Sequence, residues 1–159
     1  GGCAIRKEAF EKAGLFWEKL FFGGEGEELA IRVLDAGFRI LYSPNSVVYH
    51  RAPAKKKKPD PDRHYYNLRN TLYIYLVHYP WWMLIWFAPL KILACSIQGL
   101  RWKNSEWVRR ALIDTIKQFP ALWRERNPIR RETARIYLRF QRDHGSLNWS
   151  LKSWLKHKA

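Results

Sequence analysis

The sequence predicts a mixed α/β fold over its first third and a mostly helical remainder. Three observations carry this. Residues 1–51 read as helix, helix, strand, strand. The charge splits: six Lys/Arg and seven acids precede His50, leaving 23 bases, 7 acids and a charge of +16 for the rest of a 159-residue chain whose net charge is +15. The basic part also holds every tryptophan except Trp17, interleaved with apolar residues at helical spacing. A near-neutral globular piece over 1–51, a basic proline-containing loop over 52–62 and a basic aromatic helical region over 63–159 are expected. With 47% hydrophobic and 16% aromatic residues the chain can bury a core, which excludes general disorder.

Residues 6–13 are good helix formers closed by Gly14. Residues 25–36 place Leu29, Ala30, Val33 and Leu34 on one face, and Gly37 stops them. Residues 38–42 and 47–49 are short, aromatic and β-branched, and Ser43-Pro44-Asn45-Ser46 between them is turn chemistry, so both read as strands. Residues 51–62, with three prolines and four consecutive lysines from Lys55, read as a solvated loop. Helices follow over 63–79, broken at Pro80, and 81–100, disturbed at Pro89. Asn104 or Ser105 caps another helix to about Leu122, and Pro128 opens one running to about His144. Residues 147–157 form a short basic amphipathic helix in this reading.

Two constellations carry potential chemistry. Glu25, Glu27 and Glu28 occupy the first turn of a helix. Acids there interact favourably with the helix dipole and need no other reason; alternatively, one is a general base, which requires a carboxylate at a cleft edge able to accept a proton from a hydroxyl. His50 ends a strand. It reads either as a hydrogen-bonded edge residue or as a metal ligand whose direction the strand fixes. Cys3 and Cys95 are far apart, without metal or redox spacing, and a disulfide framework is excluded. No secretory signal is visible, and with Met83 as the sole methionine the chain is expected to be the C-terminal part of something longer.

The motif order over 1–51 resembles the acceptor-side half of a family 2 glycosyltransferase of the GT-A fold. It is carried by a glycine-led strand, by Arg6, Phe10 and Gly14, by an aromatic pair, and by an acidic cluster opening a helix that ends in Arg32, Ala36 and Gly37. Phe38, Tyr42, Pro44 and a strand ending in His50 complete it, and Tyr65-Tyr66 with Arg69-Asn70 resembles membrane-associated bacterial members. The resemblance implies inverting transfer of a sugar from a nucleotide-sugar donor to a glycan or lipid-linked hydroxyl acceptor. Glu25 or Glu27 would be the base, with Glu28 a packing or capping acid; Gly26 stands where the family places an acid. A divalent cation, Mg²⁺ or Mn²⁺, would neutralise the leaving diphosphate with help from His50, and Gly1, Gly2 and Arg51 would touch substrate. The donor half and its Asp-x-Asp site are expected upstream of Gly1, Asp60-Pro61-Asp62 being a chance mimic. The chain alone is therefore expected to be silent in catalysis.

Residues 71–90 contain no Lys, Arg, Asp or Glu over 20 positions, long enough to span a bilayer. Pro80, Pro89, His78 and the density of Tyr and Trp argue instead for helices lying in an anionic membrane surface, on the cytoplasmic face, through Trp81, Trp82, Trp86 and Lys91. The competing reading is that these aromatics pack a helical subdomain. Nucleic-acid binding fits poorly, because no recognition motif or zinc spacing is present and the apolar run is too hydrophobic for a nucleic-acid groove. A noncatalytic membrane-surface scaffold is the alternative function.

Overall fold

The computed structural model describes residues 2–49 and 61–144. Among them it has six helices and no sheet: α1 Lys7–Ala13, α2 Glu25–Asp35, α3 Pro61–His78, α4 Trp81–Arg101, α5 Glu106–Arg124 and α6 Arg131–His144. This corrects the α/β expectation. Residues 38–42 and 47–49 flank a turn at Ser43 to Ser46, but no ladder pairs them among the described residues. Their β-branched and aromatic composition suits a pleated surface, yet a strand exists only where a neighbouring backbone takes its N–H and C=O groups. Ile40, Leu41, Tyr42, Val47, Val48 and Tyr49 are all exposed. The glycine-led segment runs close by, a Cβ on Gly2 falling 2.6 Å from Val48 Cγ2, without forming a ladder either.

Helix ends follow glycine and proline. Gly37, at φ 89°, closes α2 with two hydrogen bonds, Phe38 N–H to the Val33 carbonyl at 3.1 Å and Gly37 N–H to the Leu34 carbonyl at 3.0 Å. Together they form a Schellman motif that satisfies orphan carbonyls. Pro80 separates α3 from α4, so the uncharged window 71–90 is two helices rather than one. Pro128 does not open α6. The N–H groups of Asn127 and Ile129 donate to the carbonyls of Val77 and His78, both at 2.9 Å, and Pro128 between them has no N–H to give. Those bonds occupy carbonyls at the end of α3, hold 127–129 extended, and delay the helix to Arg131.

α3 is the spine. It packs against α4 and α5, while α2 pairs with α1 and α6. One core gathers Leu20, Ile31, Ile74, Val77, Met83, Leu122 and Tyr137 from α2 to α6 and the loop before α2; a second joins Leu68, Leu72, Cys95, Trp107 and Ala111 across α3, α4 and α5. Where the two readings of the aromatics competed, the inward ones do pack a helical bundle: Tyr65, Tyr73 and Tyr79 are buried.

Gly24 caps α2 in the left-handed region at φ 89°, and a Cβ there would sit 3.3 Å from Ile74 Cδ1 and 3.5 Å from Asn70 Cβ. Gly24→Ala is expected to destabilise the fold by about 1–2 kcal/mol through the backbone alone, read as a lower urea midpoint. An unchanged midpoint would mean that the loop relaxes out of this conformation freely.

Candidate functional site

The start of α2 is positioned from α3. Asn70, 1% exposed, donates from Nδ2 to the carbonyls of Phe22 at 3.0 Å and Gly23 at 2.6 Å, while its Oδ1 accepts from Arg69 Nε at 3.0 Å and Nη2 at 2.8 Å. Arg69 in turn lies over Tyr66, Tyr73 and Tyr65 and donates to the Lys19 carbonyl at 3.1 Å. A buried amide with its acceptor and donors engaged is rigid and costly to disturb. It fixes the loop that delivers the acidic cluster. The Arg69-Asn70 pair sits within α3 rather than opening it.

The three carboxylates then diverge. Glu28 is 1% exposed. Its Oε1 accepts from Arg32 Nε at 2.6 Å and from His78 Nε2 at 2.9 Å, and its Oε2 from Arg32 Nη2 at 2.6 Å. Burial raises its carboxyl pKa, but the hydrogen bonds from His78 and Arg32 outweigh burial and hold the group below its ordinary value. Arg32 also donates to the Ala13 and Leu15 carbonyls, and His78 Nδ1 lies 3.3 Å from the Asn127 carbonyl. Glu27 turns toward α6, accepting from the Tyr137 hydroxyl and, at 3.4 Å, from Gln141 Nε2. Burial, with the Glu27 charge beside it, pushes the Tyr137 phenol up. Glu25 is exposed and has no side-chain partner among the described residues. Gly26 is exposed, with nothing within 4 Å of its Cβ direction.

A cleft of about 530 Å³ is lined by Trp17, Lys19, Glu28, Arg32, His78 and Glu125 among others, and of the three acids at the start of α2 only Glu28 is on it. Its charges are largely paired within the protein, Arg32 with Glu28 and Lys19 with Glu125, and the His78 ring hydrogen-bonds Glu28. His78, whose ring meets Trp17 edge-on at 6.1 Å, entered the sequence reading only as a polar residue within the uncharged run 71–90 and not as a site residue. Its other sequence signal was a histidine two residues before a helix-breaking proline.

Of the other expected site residues, Gly1, His50 and Arg51 lie outside the described residues, and Gly2 is exposed beside Val48. Trp81, Trp82 and Trp86 are exposed on α4. Lys91 is on the side of α4 facing α3, its Nζ donating to Asn67 Oδ1 at 3.1 Å. Among the described residues no three of His, Cys, Asp and Glu group to hold a metal ion. The acids nearest the proposed role do not fit one, because Glu28 is spent on Arg32 and His78 and Glu27 on Tyr137.

Glu28→Gln leaves Arg32 and His78 facing a neutral amide inside the fold, and a loss of about 3 kcal/mol or more is expected, read by chemical denaturation. The lowered carboxyl pKa sets the pH dependence. Its stabilisation is present above the unfolded carboxyl range and is lost as pH falls through the folded pKa. Wild-type and Glu28→Gln stabilities should therefore converge on acidification; a gap constant down to acid would contradict the ionised assignment. No protein-family model matches this chain, nor does any curated protein or solved structure.

Proposed function

We propose that the chain is a portion of an inverting sugar-transfer enzyme in which Glu25 is the general base. The observation that supports this reading most is the tie from Asn70 to the Phe22 and Gly23 carbonyls. It joins two of the motifs behind the glycosyltransferase resemblance, about 47 residues apart in sequence, and it holds rigid the loop that leads to the acidic cluster. Within that cluster Glu28 and Glu27 are engaged, whereas Glu25, exposed like Glu27, stands at the first helical position with no side-chain partner among the described residues. A general base needs such an accessible lone pair on a preorganised frame.

In this reading an acceptor hydroxyl, on a glycan or a lipid-linked sugar, gives its proton to the Glu25 carboxylate as its oxygen attacks the anomeric carbon of a nucleotide sugar. The bond to the nucleoside diphosphate breaks on the opposite face, and configuration inverts. A divalent cation on the leaving diphosphate remains an expectation from the resemblance, with ligands beyond those described. A second reading, a noncatalytic scaffold, draws on the engagement of Glu27 and Glu28 in structural bonds.

Release of nucleoside diphosphate from a panel of nucleotide sugars by the full natural protein tests both. Glu25→Gln is expected to lower turnover on the order of 10²-fold or more with little change in melting, and Glu27→Gln to retain most of it. Full turnover in Glu25→Gln would refute the base assignment. No transfer to any acceptor by the natural protein would favour the scaffold.

A further inference from the structure

The outer face of α4 reverses the usual arrangement of a surface helix. Trp82, Ile85, Trp86, Leu93, Ile97 and Leu100 recur at helical spacing on it and are between 41% and 71% exposed. Its inner side is also apolar, with Met83, Leu84 and Cys95 buried. The helix has 21 residues and holds an 18-residue window of mean hydropathy 1.6, enough by length and composition to cross a membrane, yet only 22% of that window is buried. A helix apolar all round belongs in a protein core or in lipid, and an exposed continuous apolar face marks an interaction site.

We infer that this face of α4 is seated in one leaflet of an anionic bilayer, with the helix axis parallel to the membrane plane. Two features choose this occupant. Basic residues accompany the exposed apolar ones: Arg101 and Lys103 follow Leu100, and on α5 the exposed Lys117 and Arg124 follow the exposed Ile116 and Trp123 in sequence. Trp123 meets Trp81 at 5.2 Å, so α5 extends the face of α4 at that end. Apolar area accompanied by Lys and Arg, with tryptophans along it, complements acyl chains beneath acidic head groups.

The packing of α4 opposes a span. Its other side lies against α3 and α5, which hold Arg69 and Asp114, the latter bonded to the Tyr65 hydroxyl, and Arg110 lies over the Tyr65 ring at 4.7 Å. Crossing the bilayer would draw these groups into hydrocarbon, where ionised side chains are expensive. Lying flat buries the stripe and leaves them above the lipid. The inference uses none of the residues assigned to sugar transfer and stands apart from that reading.

Sedimentation of the full chain with vesicles of phosphatidylcholine, alone or mixed with phosphatidylglycerol, tests it. Binding is expected to the mixed vesicles, weakening with salt, and Ile85→Glu combined with Leu93→Glu should reduce it on the order of 10²-fold. Both positions are exposed, so circular dichroism should be unchanged. Nitroxides attached singly through Ile85→Cys, Leu93→Cys and Leu100→Cys, with Cys3→Ser and Cys95→Ala in the background, should report one shared depth. A depth changing steadily from residue 85 to residue 100 would mean a span and overturn the inference. So would a folded chain that binds neither vesicle, or one whose double variant binds lipid unchanged while losing self-association, which would assign the face to a second copy.

Discussion

The fold turns on one buried carboxylate. Glu28 accepts both prongs of the Arg32 guanidinium and the Nε2–H of His78, and each partner passes the constraint on. Arg32 reaches the carbonyls of Ala13 and Leu15, fixing the end of α1, and the His78 backbone carbonyl accepts from the Ile129 N–H, fixing the connection from α5 to α6. A charge placed in a low-dielectric interior is tolerated only when it is paired and hydrogen-bonded. The same requirement that makes the cluster expensive to disturb makes its geometry specific.

A second polar anchor, Asn70, works on the other side of the same loop, so the start of α2 is held between α3 and its own buried face. Three acids adjacent in sequence thereby acquire three roles. Glu28 stabilises, Glu27 links α2 to α6, and Glu25 is left on the solvent side. An exposed acid on a frame this constrained is where a proton acceptor would do least damage to the fold. The apolar outer face of α4 belongs to a helix whose first residue follows His78 by three positions, so the cluster and the face share the corner between α3 and α4.

Much of the helical pattern was legible because its punctuation is local. Gly14, Gly37 and Pro80 stop helices through their own backbone chemistry, and α1 to α5 fall within about two residues of their expected bounds. The failures are non-local. Residues 38–42 and 47–49 have strand composition, but pairing depends on a neighbour that composition does not reveal. Pro128 has the right chemistry for a first helical position and is overruled by Val77 and His78, whose carbonyls capture the residues on either side of it. At the site, the spacing of Glu25, Glu27 and Glu28 left open which acid would be structural; Glu28 is the one the fold buries. The site role of His78 was not legible because it lies in a partner 50 residues away.

The coupling between Glu28 and His78 is the most direct gauge of this account. A double-mutant cycle with Glu28→Gln, His78→Ala and the double variant, followed by urea denaturation at neutral pH, isolates the pairwise free energy from the cost of each truncation. A coupling of about 1 kcal/mol or more is predicted for groups in one buried network. Additivity of the two single effects would mean that the carboxylate and the imidazole are independent, and that the bond between α2 and α3 on which the rest of the structure is argued to depend is not made.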